Sequence, residues 1–298
     1  MTWHVPNVGT VDLLDPSDDG VMLLRDGVRG LNMPPVDRYT SRSPAVPGTR
    51  WRGFQTQERS VFWPTLVWTP NGADLWHEYD EGLWATLRPD VVGEWEVVTD
   101  RAGTRRLQCR WTGDSDHSYG QDPLKSGWAI YGVELVAEQP YWCGEIISAS
   151  WGKAAGDGRS FLPGPPFWIG SSATVDAAEL HNPGDMPAHI VWVVDGPATT
   201  AQVGFRRFTS WADGEEEATI DIPFPIAEGD RLVIDTRPTA QTAVLEAADG
   251  TFTDRTGDLG AQAVFAPIPP GDEATLMLNL AGDGSITAEL EPLFWRAF

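Results

Sequence analysis

Few residues in this sequence are of types and spacings that could do chemistry. His77-Glu78 begins as a zinc-protease helix motif would, but Tyr79 and Asp80 follow, and Glu81 stands where the second histidine should be. Asp114-Ser115-Asp116-His117 could suggest a metal site, yet it lies in a glycine-flanked polar turn and lacks the closing glutamate of a calcium loop. Asp213 to Glu217 is acidic without alternating ligand spacing, and reads as a solvated hairpin tip. A glycosidase needs a carboxylate pair roughly 5–5.5 Å or 6.5–9.5 Å apart. With 43 Asp and Glu residues such a pair can always be imagined, so the count selects none. No Gly-x-Ser-x-Gly elbow occurs, and the five histidines are scattered. The sequence therefore assigns no catalytic, cofactor-binding or metal-binding residue, and the chain is not expected to be an enzyme.

Aromatic side chains offer a different chemistry. The chain holds 15 tryptophans, a residue type enriched at interfaces and able to stack on sugars. Trp168 (beside Phe167), Trp192 and Trp211 are the candidate carbohydrate-binding residues; core packing is the competing role. Trp76 and Trp84 lie eight apart on one helical stripe, as core or subunit-interface residues would. Trp63 and Trp68 sit five apart in one strand, on opposite faces unless Pro64 makes a bulge, and one of them could face a neighbouring subunit.

The elements that would carry these residues are almost all β. Short apolar pieces at 10–14 and 21–24 flank a turn. Residues 34–53 are rich in Pro, Arg, Ser and Gly and read as a long loop, of the kind that is functional or held by a partner. Ser60 to Thr69 is a β-branched and aromatic strand in which Pro64 implies an edge or a bulge. Leu75, Trp76, Tyr79, Leu83, Trp84 and Leu87 repeat near 3.6, predicting a helix over 74–87, with Asp74 as its cap and Pro89 as its stop. Further strands follow, with a break between about 140 and 146, so the sequence divides into domains at 1–143 and 144–298. In the last seventy residues Leu276, Leu278 and Leu280, then Ile286, Ala288 and Leu290, alternate with less apolar neighbours. Ala281-Gly282-Asp283-Gly284 between them predicts a hairpin. Turns recur about every ten residues, the spacing of a sandwich or jelly roll.

The formal charge of −22 opposes tight binding to a phosphate backbone. It suits a protein that surrounds nucleic acid without adhering to it. Cys109 and Cys143 lack zinc-site spacing and read as reduced thiols. The first residues show no secretory signal, and no apolar run approaches the roughly 18 residues of a membrane span. The chain is expected to be soluble when made, without membrane insertion.

The helix ending in Leu87-Arg88-Pro89, the strand ending in Glu138-Gln139-Pro140-Tyr141-Trp142, the run from His181-Asn182-Pro183-Gly184-Asp185 to Asp195-Gly196-Pro197, Ile268-Pro269-Pro270-Gly271 and Pro292-Leu293-Phe294-Trp295 together resemble the distal tail and minor tail proteins of long-tailed (siphovirus-type) bacteriophages. The resemblance covers nearly the whole chain and is strongest over 181–298. It implies a mainly β protein of two β-sandwich domains, the first tail-tube-like with one helix, the second galectin-like or jelly-roll. It implies a structural virion protein of the tail tip, made in the host cytoplasm. Such a protein forms a homo-oligomeric ring, a hexamer in the distal tail proteins, with the 34–53 loop placed as a subunit-bridging arm. Implied partners are the tail tube protein, the tape measure protein and other tail-tip proteins, with phage DNA passing through a channel without specific binding. The alternative is a minor tail protein whose second domain binds host cell-wall carbohydrate. No cofactor is implied.

Overall fold

The computed structural model describes residues 1–13, 19–24, 26–114, 120–152, 179–210 and 214–298. The chain is mainly β and divides into two compact units. One comprises Met1–Glu145 together with Phe294–Phe298, the other Ile146–Leu293. The sequence division at 143/144 runs straight to residue 298, whereas here the chain leaves the second unit at 293 and its last five residues return to the first.

The first unit contains β1 (Thr2–Val5), β2 (Gly9–Asp12), β3 (Gly20–Leu23), a ribbon of β4 (Val36–Ser43) and β5 (Val46–Thr56), β6 (Arg59–Trp68), α1 (Ala73–Thr86), β7 (Val92–Thr99), β8 (Gly103–Asp114), the single turn α2 (Pro123–Ser126), β9 (Trp128–Ala137) and β10 (Trp142–Cys143). One antiparallel sheet runs β2-β1-β7-β8-β9-β6-β3. It curls over on itself, because its two end strands meet: Leu23 N–H donates to Leu13 C=O at 2.8 Å. The layers of this sandwich are thus parts of one sheet. The interior of the curl is filled by tryptophan. Trp3 stands edge-on to Trp63 at 5.1 Å, Trp63 to Trp95 at 5.2 Å, and Trp95 contacts Trp142 at 5.2 Å. Trp3 on β1 can reach Trp63 on β6, four strands away in the sheet order, only because the sheet is bent. Such edge-to-face pairs contribute about 0.5–1.5 kcal/mol each beyond their burial.

Helix α1 packs through Trp76 and Leu83, with Tyr79 and Trp84 partly covered. Its start is Gly72, in the left-handed region at φ 108°, with no side-chain cap. Asp74, expected as the cap, lies in the first turn, where a carboxylate still favours the helix dipole. Tyr131 donates its hydroxyl to Asp80 Oδ1 at 2.5 Å, and Trp76 Nε1 donates to Val67 C=O at 3.3 Å, tying helix to sheet. Strand β6 is not an edge. Leu24 N–H donates to Pro64 C=O just where β3 ends, so the missing N–H of Pro64 faces a point where the ladder stops. Trp63 points into the core and Trp68 to the outer side, the opposite faces that their spacing implies.

The second unit has β11 (Ile147–Gly152), β12 (Glu179–His181), β13 (Ala188–Asp195), β14 (Ala198–Ser210), β15 (Gly214–Ile222), β16 (Arg231–Asp235), β17 (Thr242–Glu246), β18 (Phe252–Asp254), β19 (Pro267–Ile268), β20 (Glu273–Gly282) and β21 (Ser285–Leu290); β22 (Leu293–Phe294) follows. One sheet runs β11-β21-β13-β16-β17-β18 and a second β12-β20-β14-β15, with an aliphatic core that includes Ile190, Val194, Val203, Leu276 and Leu290. The expected hairpin of 276–290 does not form. β20 pairs with β14 in one sheet and β21 with β13 in the other. The glycines between them serve close approach rather than a reversed turn. A Cβ on Gly282 would lie 2.3 Å from Pro197 O, and one on Gly284 2.0 Å from Asp195 O. Both strands bury one face, so each can be central in its own sheet. Nearby, buried Asn182 organises the loops. Its side-chain amide donates to Met186 O at 2.9 Å, Ile268 O at 2.8 Å and Pro269 O at 3.2 Å, and its Oδ1 accepts from Gly184 N–H at 2.9 Å.

The tryptophan core predicts a sharp steric limit. A Cβ on Gly93 would sit 2.0 Å from the Trp3 ring, which Trp63 holds in place. Gly93→Ala should lower stability by about 2–3 kcal/mol, read as a lower urea midpoint; an unchanged midpoint would show that Trp3 can move.

Candidate assembly surface

The ribbon of β4 and β5 belongs to no larger sheet. Its register runs from Val36↔Thr56 at the root to Ser43↔Val46 at the tip, with irregularities between Tyr39 and Thr40 and between Ser41 and Ser43. The stretch read as a loop is therefore a β-hairpin arm. Its strands of 8 and 11 residues, at about 3.3 Å per residue, make it roughly 30 Å long. Gly48 and Gly53, at φ 91° and 143°, take up the irregularities. Almost every side chain along it is exposed, including Trp51 at 58 %, Tyr39, Val46 and Phe54. Four of its residues are arginines (38, 42, 50 and 52) against one carboxylate, Asp37. Arg52 donates to Ser41 Oγ at 2.9 Å. Among the described residues none of the four meets a carboxylate. The arm is a cationic, aromatic element on an acidic chain.

An aromatic row fixes its root. Trp51 lies 6.2 Å from Phe54, Phe54 5.9 Å from Trp295, and Trp295 5.3 Å from Tyr141, whose hydroxyl donates to Thr56 Oγ1 at 2.8 Å. Beneath the row is Arg59, 1 % exposed. Its Nε donates to Pro140 O at 2.6 Å, Nη1 to Gly30 O at 2.7 Å and to Asn32 O, and Nη2 to Trp295 O at 2.8 Å. Burial pulls this guanidinium down to about 10, with Cys109 and Tyr141 acting the other way, so it stays charged at neutral pH. Burial also pushes the Cys109 thiol up, so it stays protonated; Cys109 and Cys143 are not joined in a disulfide. The returning segment is held further by Arg105, which donates to Arg296 O at 2.6 Å and stacks on Phe294 at 3.8 Å, and by Ala297 N–H to Leu31 O at 2.9 Å.

The sugar-stacking candidates do not come together. Trp192 is 2 % exposed in the core of the second unit, so its ring has no open face. Its parity with Ile190 and Val194 on β13 places it there. Trp168 and Trp211 lie outside the described residues, as does most of the Asp114–His117 turn. His77 is exposed on α1, and His189 is half-buried with its pKa lowered by that burial. Among the described residues no three His, Cys, Asp or Glu side chains gather as a metal site.

No family model matches the sequence, and no curated protein matches it. Solved structures do share its fold. The SPP1 Dit (gp 19.1) protein, described as a paradigm of the hub adsorption apparatus in phages infecting Gram-positive hosts, matches with a TM-score of 0.54 at 12 % identity, over 90 % of this chain and 93 % of that one. A chain of the phage P2 baseplate in its activated conformation with Ca matches at 0.53 and 11 % identity, over 98 % and 97 %. The fold is that of phage hub and baseplate proteins. The same baseplate with Sr gives 0.53 at 10 % identity, over 97 % of each chain.

The Arg59 contacts generate a prediction. Arg59→Met should cost about 2–4 kcal/mol, because Asn32 O, Pro140 O and Trp295 O lose this donor while Gly30 O keeps Trp142 Nε1. Arg59→Lys should restore only part of this in urea unfolding, since one ammonium cannot reproduce the planar fork. Full rescue by lysine would show that the charge alone matters.

Proposed function

We propose that this chain is a structural tail-tip protein of a long-tailed phage, a distal tail protein or a close minor-tail relative. In this reading it forms a closed ring, a homohexamer, joining the tail tube to the tip proteins and leaving a channel for DNA. The observation that carries the reading is a fold match across both units of the chain to a phage hub protein and to baseplate chains. The exposed arm supports it, since a ring needs one surface on each copy to meet a different surface on the next. No enzymatic step is assigned. The net charge of −22 suits a channel from which DNA is repelled rather than held.

Purified protein should form closed rings in negative-stain images and a discrete oligomer by light scattering. A particle that stays monomeric at high concentration and is absent from tails would overturn the proposal. Replacing residues 40–51 by a short turn, which keeps Phe54 on Trp295, should leave the melting temperature within about 2 °C, because that part of the arm buries little of its own unit, and should abolish the ring.

A further inference from the structure

At the entrance to α1 an amide side chain stands next to a backbone nitrogen free to attack it. The dipeptide is Asn71-Gly72. The other four asparagines precede Val8, Met33, Pro183 and Leu280. A side chain on the following residue hinders the approach of its nitrogen to the asparagine Cγ, and a proline nitrogen has no hydrogen to lose. Glycine presents neither obstacle and turns freely about its backbone bonds. Asn71 and Gly72 are both exposed, and a Cβ on Gly72 would meet nothing within 4 Å. Gly72 lies at φ 108°, where the helix begins and backbone N–H groups have no intrahelical acceptor. Among the described residues none accepts from its N–H.

We infer that Asn71 is a site of spontaneous covalent modification by deamidation. Gly72 N bonds to Asn71 Cγ, the Cγ–Nδ2 bond breaks, and ammonia leaves with the proton that Gly72 N gives up. Water then opens the succinimide. Cleavage of the bond to Cγ leaves aspartate. Cleavage of the bond to the main-chain carbonyl leaves isoaspartate, which has one more carbon in the main chain. Water is the only co-reactant. Asn71 Nδ2 is held by one contact, donating to Asp19 Oδ2 at 3.0 Å. A hydrogen bond to a carboxylate slows the attack by about ten- to hundredfold and does not forbid it.

The change falls on a corner of the first unit. Asp19 Oδ2 also accepts from Thr69 Oγ1 at 2.9 Å, and Thr69 Oγ1 accepts from Asn71 N–H at 3.1 Å. Thr69 N–H donates to Gly127 O at 2.9 Å. The corner thus joins the approaches to β3, α1 and β9 to the end of β6. Deamidation puts a carboxylate where the amide donor stood, against the carboxylate of Asp19. Isoaspartate also lengthens the span between Thr69 and Trp76, which are 2 % and 4 % exposed and so cannot shift to absorb it. The reaction is a one-way release of the first turn of α1, and it does not depend on the ring.

The whole chain, held at mildly alkaline pH and 37 °C, should show at Asn71 the mass gain of –NH2 exchanged for –OH, in both aspartate and isoaspartate forms, with the other four asparagines unchanged. The rate should lie within about a hundredfold of that in urea. Asp19→Ala should raise it at least fivefold in the folded chain. The aged protein should lose about 2–4 °C in Tm. Asn71→Gln, whose longer side chain would have to close a six-membered ring, should show neither the conversion nor the loss. A folded chain that stays intact at Asn71 while the urea-unfolded chain converts overturns the inference. So does faster conversion at another asparagine, an Asp19→Ala chain that converts no faster, or an Asn71→Gln protein whose Tm falls as the wild type's does.

Discussion

Four backbone carbonyls from three distant stretches of chain converge on the guanidinium of Arg59. Enclosing an unpaired charge costs several kcal/mol even after relaxation, so such a group persists only where its donors are met. No carboxylate meets it among the described residues; carbonyl dipoles do. Without it Asn32 O, Pro140 O and Trp295 O lose this donor, whereas Gly30 O keeps Trp142 Nε1 at 3.2 Å. The guanidinium is their shared partner. It couples the segment before the arm, the turn after β9 and the returning residues 294–298 into one cooperative unit.

That unit is what the arm stands on. A lone two-stranded hairpin is marginal in water, and this one has neither a third strand nor a buried face. Its order comes from its root, where Phe54, Trp295 and Tyr141 pack above the Arg59 network. Rigidity at the base with exposure along the length is what a projecting contact element requires. The charge distribution follows the same division of labour, since basic residues outnumber carboxylates along the arm and carboxylates outnumber basic residues in the rest of the chain.

Much of the architecture was legible wherever one side of an element is buried. Alternation located β20 and β21, β-branched and aromatic composition located β6, and the 3.6 repeat located α1 to within one residue at each end. The arm escaped because alternation records burial, and neither of its faces is buried; Pro44, Pro47 and Gly48 then resembled loop. The 276–290 hairpin failed for a related reason. Glycine marks both reversed turns and close backbone approach, and only the position of Asp195 and Pro197 decides which. Arg59 could have been noticed, since it shares parity with Val61, Trp63 and Val67, an arginine on the inward side of a strand. The same parity argument applied to Trp192 would have removed it from the sugar-binding candidates.

The return of residues 294–298 gives the chain a temporal order. Trp295 is joined to the ribosome's product 236 residues after Arg59. At about 5–20 residues per second that is an interval of roughly 10–50 s. Through all of it the first unit lacks its last acceptor, and the second unit, whose strands β20 and β21 end at 282 and 290, is completed only shortly before. The half that is synthesised first is therefore the half that is finished last, and a chain cut short anywhere in the second unit is also left with an incomplete base for the arm.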